Sequence, residues 1–214
     1  MKRFILLLLL FSSLIMSNER FKNTDEEAAG KSFREFLKWS FTNKKPELVA
    51  INSSDEWMKL TPNSTDYLIW IGHATYLIKK DGLTILTDPV FSKRASPVRF
   101  AGPKRLIPPA IPIDKLPKID VITVSHNHYD HFDLRSLKQI YKANPNAIFL
   151  VPKGDKRRLE RRGIENIHEF LWWEEIDLNG SKFTFTPVQH WSARGIADRN
   201  KSLWGGWFME LKTE

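Results

Sequence analysis

The 214 residues include no cysteine. That excludes disulfides, thiolate metal ligands, a cysteine nucleophile and a lipidated N-terminal cysteine. Any metal the chain holds must therefore be bound by histidine and carboxylate. Also absent is an apolar run of the roughly 20 residues a membrane-spanning helix needs. The longest run, from Phe4 to Ile15, is broken only by Ser12 and Ser13 and follows a short basic head, Lys2 and Arg3. A charge-then-apolar order of this length is that of a signal peptide over residues 1–17. Ile15 and Ser17 make a weak cleavage pattern, so an uncleaved membrane anchor and a buried helix stay open. Export or membrane association, in a bacterial periplasm or envelope, is the expectation. There is no internal repeat and no low-complexity tract.

What the chain does have is enough length for one domain, with 8 Trp and 14 Phe to fill a core or a pocket. The formal charge of +8 invites an acidic partner. Much of it lies in Lys153, Lys156, Arg157, Arg158, Arg161 and Arg162. Such a run is either the solvated face of a helix or a surface drawn to anionic headgroups, and composition does not choose.

Residues 18–66 read as a polar N-terminal extension, with helical character around residues 28–41 and no identifiable chemistry. From Tyr67 the texture changes. Tyr67 to Ile71, Thr75 to Ile78 and Leu83 to Leu86 are strand-like, with Asp81-Gly82 as a hairpin turn. Residues 89–118, rich in proline, predict an extended loop. Asp120 to Val124 reads as a strand buried on both faces. A helix follows from Leu134 to Tyr141, capped by Asp133 and stopped at Asn144-Pro145. Ala147 to Val151 is a further strand, Asp155 to Arg162 a short helix closed by Gly163, and Lys182 to Val188 and Trp207 to Leu211 two more strands. An antiparallel start followed by alternating strands and helices predicts an α/β domain over 67–214, with helices packed outside sheets.

The decisive stretch is Ser125-His126-Asn127-His128-Tyr129-Asp130-His131. It puts three His and one Asp between a buried strand and a capped helix. In a non-helical turn, alternate residues converge, so His126 and His128 can meet one metal while Asp130 and His131 meet a second. Nitrogen and oxygen ligands without sulfur suit zinc and accommodate iron or manganese. Burying such groups with nothing cationic to pair them would carry a heavy desolvation cost. His190, just past a strand, is the natural third ligand for the first metal. His73 lines the site, orients a ligand or packs at a turn. Asp88 either accepts a hydrogen bond from a ligating His or forms a turn before Pro89. His168 is read as structural or exposed.

These residues resemble the metallo-β-lactamase superfamily, whose motif is His126-x-His128-x-Asp130-His131. Several surrounding words narrow the likeness: Trp70-Ile71-Gly72-His73-Ala74-Thr75, Leu86-Thr87-Asp88-Pro89, Gly102-Pro103-Lys104-Arg105, Trp172-Trp173-Glu174 and Gln189-His190-Trp191. Together they are similar to the phospholipases D that hydrolyse N-acyl-phosphatidylethanolamine, and to their bacterial relatives. The resemblance runs from about Leu68 to the C-terminus. It implies an αβ/βα sandwich, two Zn2+ and a phosphodiester lipid substrate. It further implies that His126, His128 and His190 hold one zinc, that Asp130 and His131 hold the other, and that Asp130 also orients the attacking hydroxide.

That family also uses a later bridging Asp and a final His; after His190 there is no His and the only Asp is Asp198, in a loop, so no candidate for either remains. The expectation is a sandwich incomplete at its C-terminus: a truncated copy with three ligands at one site, two at the other, and one zinc in this chain. Phospholipid and a membrane surface are the expected partners, with a homodimer as a further candidate; nucleic acid is not expected. A lactonase, a nuclease or an inactive metal-binding remnant are the rival readings.

Overall fold

The computed structural model describes residues 20–25, 34, 38, 42, 54–63, 66–195 and 197–212. The apolar run of residues 1–17 and most of the helix expected over 28–41 lie outside the described residues. No helix among the described residues is long and apolar enough to cross a membrane.

A short helix, α1 (Trp57–Asn63), precedes two sheets. The first has six strands in sequential order: β1 (Tyr67–Gly72), β2 (Thr75–Lys80), β3 (Leu83–Thr87), β4 (Val121–Thr123), β5 (Ile148–Pro152) and β6 (Ile167–Phe170). Its first three strands pair antiparallel and β3 to β6 pair parallel. The parallel crossovers run through α2 (Leu134–Ala143) and α3 (Lys156–Glu160). The second sheet is the antiparallel ladder β7 (Glu175–Leu178), β8 (Ser181–Thr186) and β9 (Gly206–Glu210).

Strand periodicity sorts the core into two layers. On β3, β4 and β5 the residues Leu86, Ile122, Phe149 and Val151 face the helices, where Leu137 and Ile140 of α2 and Leu159 of α3 complete one cluster. Their neighbours Ile85, Val121 and Leu150 turn the other way and meet Phe183 and Phe185 of β8. The result is helices, a mixed sheet and a second sheet stacked in that order, an α/β sandwich.

Local chemistry sets the boundaries. Asp81 and Gly82 both have positive φ, 47° and 79°, as a tight two-residue hairpin between right-twisted strands requires. Asp133 caps α2 by accepting from the Arg135 N–H at 3.1 Å, and the helix runs to Ala143, two residues past Tyr141, before Asn144 ends it as expected. The proline-rich segment is extended as expected, apart from a 3-10 turn at Ile113–Lys115 and a lone bridge between Arg94 and Lys104. β8 ends at Thr186, two residues early, because Pro187 follows and has no N–H for the ladder. β7 went unread in the sequence, although Asn179-Gly180 (φ 57° and 87°) makes its turn into β8.

The basic stretch divides. Arg158 turns inward and pairs with Asp155 and Asp198, at 3.2 and 2.8 Å, while Arg157, Arg161 and Arg162 are exposed.

Truncating Phe149 to Ala should cost about 3–5 kcal/mol of unfolding free energy, since the ring is fully buried between sheet and helices. Phe208→Ala, at an exposed position on β9, should stay within about 0.5 kcal/mol in the same denaturant titration.

Candidate metal centre

The parallel strands β3 and β4 end side by side, Thr87 opposite Thr123, and release their following loops at one edge of the sheet. From β3 comes Asp88; from β4 comes the segment 125–131. The turn joining β1 to β2 brings His73 to the same edge, and the segment after β8 brings His190. Four segments therefore converge where the backbone is free of ladder geometry, the usual place for a site in an α/β sheet.

Two clusters form there. His126, His128 and His190 each offer a ring nitrogen within 4.8 Å of the others, and so do the ligand atoms of His73, Asp130 and His131. In the first, His190 Nε2 lies 3.0 Å from His126 Nε2 and 3.3 Å from His128 Nδ1. In the second, His73 Nε2 lies 3.2 Å from both His131 Nε2 and Asp130 Oδ2. The rings of His126 and His131 are 4.1 Å apart, so the clusters adjoin. His168 is exposed on β6, away from both.

Asp88 joins the two clusters. It is buried, with φ at 36°, and its backbone N–H is donated to Thr123 O at 2.8 Å. Its carboxylate accepts from Ser125 N–H (2.7 Å), from Ser125 Oγ (2.6 Å) and from His131 Nδ1 (2.8 Å). A carboxylate only accepts, so His131 carries a proton on Nδ1, and its neutral ring exposes a lone pair on Nε2. Ser125 Oγ, having donated to Asp88, accepts from His126 Nδ1 at 2.9 Å. His126 is thereby left with a lone pair on Nε2. One carboxylate thus fixes the tautomer of a ring in each cluster.

The donor set fits a transition metal. Zinc–nitrogen bonds of about 2.0–2.1 Å in a tetrahedron place ligand atoms roughly 3.3–3.4 Å apart, close to the spacings observed. His190 Nε2 faces both His126 Nε2 and His128 Nδ1, so the three nitrogens converge on one point that a cation could occupy. His128 Nε2, on the far side of its ring, is buried and meets no hydrogen-bond partner.

Residues that sequence reasoning passed over hold the loops. Asn127 is fully buried and donates to Asp155 Oδ1 at 3.1 Å, and Ser202 Oγ donates to the same oxygen at 2.9 Å. Burial pushes the Asp155 carboxyl up to about 6, against the pull of those two hydrogen bonds. Arg194 donates to the carbonyls of Asn127 and Phe132, both at 2.8 Å, and lies 4.0 Å over the Tyr129 ring. Asn23, from the segment read as chemically silent, accepts from His190 N–H (3.2 Å) and Trp204 Nε1 (3.0 Å). Gly205 N–H donates to Ser125 O, and no Cβ would fit there, because it would come 2.5 Å from the Phe185 ring.

The second cluster opens on a cleft of about 720 Å³, walled by Trp70, Val90, Leu106, Ile107 and Trp191, with Lys104 and Arg105 among the lining residues. His128 and Asp130 also border it.

Comparison with known proteins adds three findings. The family model described as the beta-lactamase superfamily domain matches residues 84–214. N-acyl-phosphatidylethanolamine-hydrolyzing phospholipase D 1 of Caenorhabditis elegans is 40% identical over 150 residues, 66% of this chain and 42% of its own. The mitochondrial N-acyl-phosphatidylethanolamine-hydrolyzing phospholipase D of Saccharomyces cerevisiae is 39% identical over 142 residues, 64% of this chain and 30% of its own. This chain thus spans less than half the length of either relative. Among solved structures, a metallo hydrolase from Ignicoccus hospitalis aligns over 67% of this chain and 55% of its own, at 18% identity and a TM-score of 0.49.

Substituting Asp88 by Asn keeps the volume and tolerates the left-handed backbone but removes the charge that holds His131 Nδ1–H. Zinc affinity should fall about 10–100-fold in a competitive chelator titration, with the fold intact by circular dichroism. Protons should also separate the clusters. Burial, with the neighbouring imidazoles, lowers His126 and His190 and brings His128 down to about 4. Burial lowers His131 too, but the hydrogen bond to Asp88 and the charges of Asp88 and Asp130 outweigh it, and its pKa ends above the usual 6.5. Protons therefore compete for His131 in the second cluster at a higher pH than for His128, which follows only near pH 4. Bound zinc measured after dialysis at falling pH should drop in two steps, and a single step would refute this ordering.

Proposed function

The chain belongs to the beta-lactamase superfamily, and from that membership we propose that it is a zinc-dependent hydrolase of phosphodiesters, acting on N-acyl-phosphatidylethanolamine-type phospholipids. The observation that carries the reading is the pair of adjoining ligand clusters, tied through Asp88 and bordering an apolar cleft lined also by Lys104 and Arg105. The names of the two relatives, at 40% and 39% identity, support the choice of substrate.

His126, His128 and His190 would hold one zinc, and Asp130 and His131 contribute to the other. Zinc in such a pair supplies an acidified water and neutralises charge on phosphoryl oxygens. The reaction adds water to phosphorus and breaks the bond to the headgroup oxygen, which leaves as an alcohol with a proton. Phosphatidic acid and an N-acylethanolamine are the products. Asp130, half-exposed at the mouth of the cleft, is positioned to orient the attacking water. Arg105 and Lys104 give the phosphate a positive wall. Arg105 is partly withdrawn from water and anchored to Val90 O at 2.5 Å, so its guanidinium is preorganised rather than mobile. The apolar walls suit acyl chains. Exposed Phe100 and Leu106, on the loop that carries Arg94, Arg99 and Lys104, suit contact with a lipid surface. We place the enzyme at a membrane on that ground.

The test is headgroup release from N-acyl-phosphatidylethanolamine in mixed micelles by the purified, zinc-loaded 214-residue chain. RNA and a lactone serve as rival substrates. Release that disappears in His126→Ala is the expected result. Faster turnover of RNA or of the lactone would reassign the substrate.

A further inference from the structure

We propose that His73 is itself a metal ligand, the third that these residues supply to the second cluster beside Asp130 and His131. The inference rests on the metal-centre reading above and assigns a residue that stands 53 positions before the His126 motif.

The backbone carries the argument first. The β1–β2 turn is irregular: pairing slips between Trp70 and Gly72, and Gly72 and His73 adopt φ of 141° and 52°. Positive φ is uncommon for a residue with a Cβ, and such positions persist where the surroundings enforce them. Here they are enforced from three directions. The Trp70 indole N–H donates to His73 O at 2.8 Å, Thr87 Oγ1 donates to Ala74 O at 2.8 Å, and Tyr76 N–H donates to Thr87 Oγ1 at 3.0 Å. Ala110 N–H adds a bond to Ile71 O at 2.9 Å just before the turn. No part of this bracing needs the imidazole, yet the turn it builds aims that ring at the loop 125–131.

The side-chain geometry then narrows its role. His73 Nε2 sits 3.2 Å from two other ligand atoms at once, His131 Nε2 and Asp130 Oδ2, and those two are 3.9 Å apart. With His131 Nδ1 donating to Asp88, the Nε2 of the neutral ring is an acceptor, as is the carboxylate. The three atoms form a triangle whose edges bracket the roughly 3.3–3.4 Å expected around tetrahedral zinc. Half of the His73 and Asp130 side-chain surface remains exposed, 50% and 47%, so the fourth position faces the cleft.

The competing role for His73 is a protonated counter-ion to Asp130, and metal counting separates the two. Purified chain is saturated with Zn2+, freed of excess, and assayed for metal per chain by mass spectrometry. His73→Asn is the informative variant, because Asn tolerates the left-handed turn. The wild type should hold about two zinc ions, His73→Asn about one, and His168→Ala about two. Two zinc ions in His73→Asn would overturn the assignment while leaving the metal-centre reading standing. One in both wild type and His73→Asn would also overturn it. None in the wild type would sink the metal-centre reading together with it. A second measurement needs no variant: diethylpyrocarbonate modification followed by peptide mapping. The half-exposed His73 should react in the metal-free chain and be protected once the second equivalent of zinc is added, with exposed His168 reacting throughout. Unchanged reactivity of His73 would count against the proposal.

Discussion

A single buried carboxylate, Asp88, sets the geometry of the whole edge of the sheet. It receives three hydrogen bonds, from Ser125 N–H, Ser125 Oγ and His131 Nδ1, and its own N–H is spent on Thr123 O. Bonds of this kind to a charged acceptor contribute about 1.5–3 kcal/mol each, and breaking one in a buried setting costs more than making it gains. The β3–β4 pairing sets where Asp88 can stand. Asp88 then sets which nitrogen of His126 and of His131 is free. The side chains around it are consequently not independent: a change at Ser125 or Thr123 reaches both clusters through the same atoms.

A second, purely structural network backs the first from below. Asp155, Arg158 and Asp198 link the start of α3 to the segment after His190, and Asn127 ties the ligand loop into that network. Asp198 also accepts from the Arg194 and Gly195 N–H groups at 3.0 and 2.7 Å. Arg194 in turn clamps both ends of the loop that carries His128 and Asp130. Rigidity bought this way suits a centre whose ligand atoms must stay within a few tenths of an ångström of one geometry.

Part of this was legible in the sequence and part was not, for physical reasons. The motif from His126 to His131 is local, and without cysteine its chemistry had few alternatives. His190 was legible because it follows a strand with clear alternation, Phe183 and Phe185 against Thr184 and Thr186. The strands β1 to β5 and helix α2 followed from periodicity and caps. His73 was visible as a candidate, but only the fold brings residue 73 to residue 131; spacing along the chain holds no trace of that approach. The same is true of Asn23, Asn127, Arg194 and Asp155, polar residues whose roles exist only once burial makes their hydrogen bonds obligatory. β7 was missed for a different reason. Its four residues, Glu175 to Leu178, are too few for alternation to stand out, and the Asn179-Gly180 turn beside it was the cue that carried the information.

The central claim is that two metal ions lie side by side, held by ligands that one carboxylate coordinates into a single unit. X-ray absorption at the zinc edge of the fully loaded wild-type chain tests it most directly. The account predicts a first shell dominated by imidazole nitrogen and a zinc–zinc vector of about 3.5–4 Å. A nitrogen-rich shell without any metal–metal scattering, at saturating zinc, would contradict it.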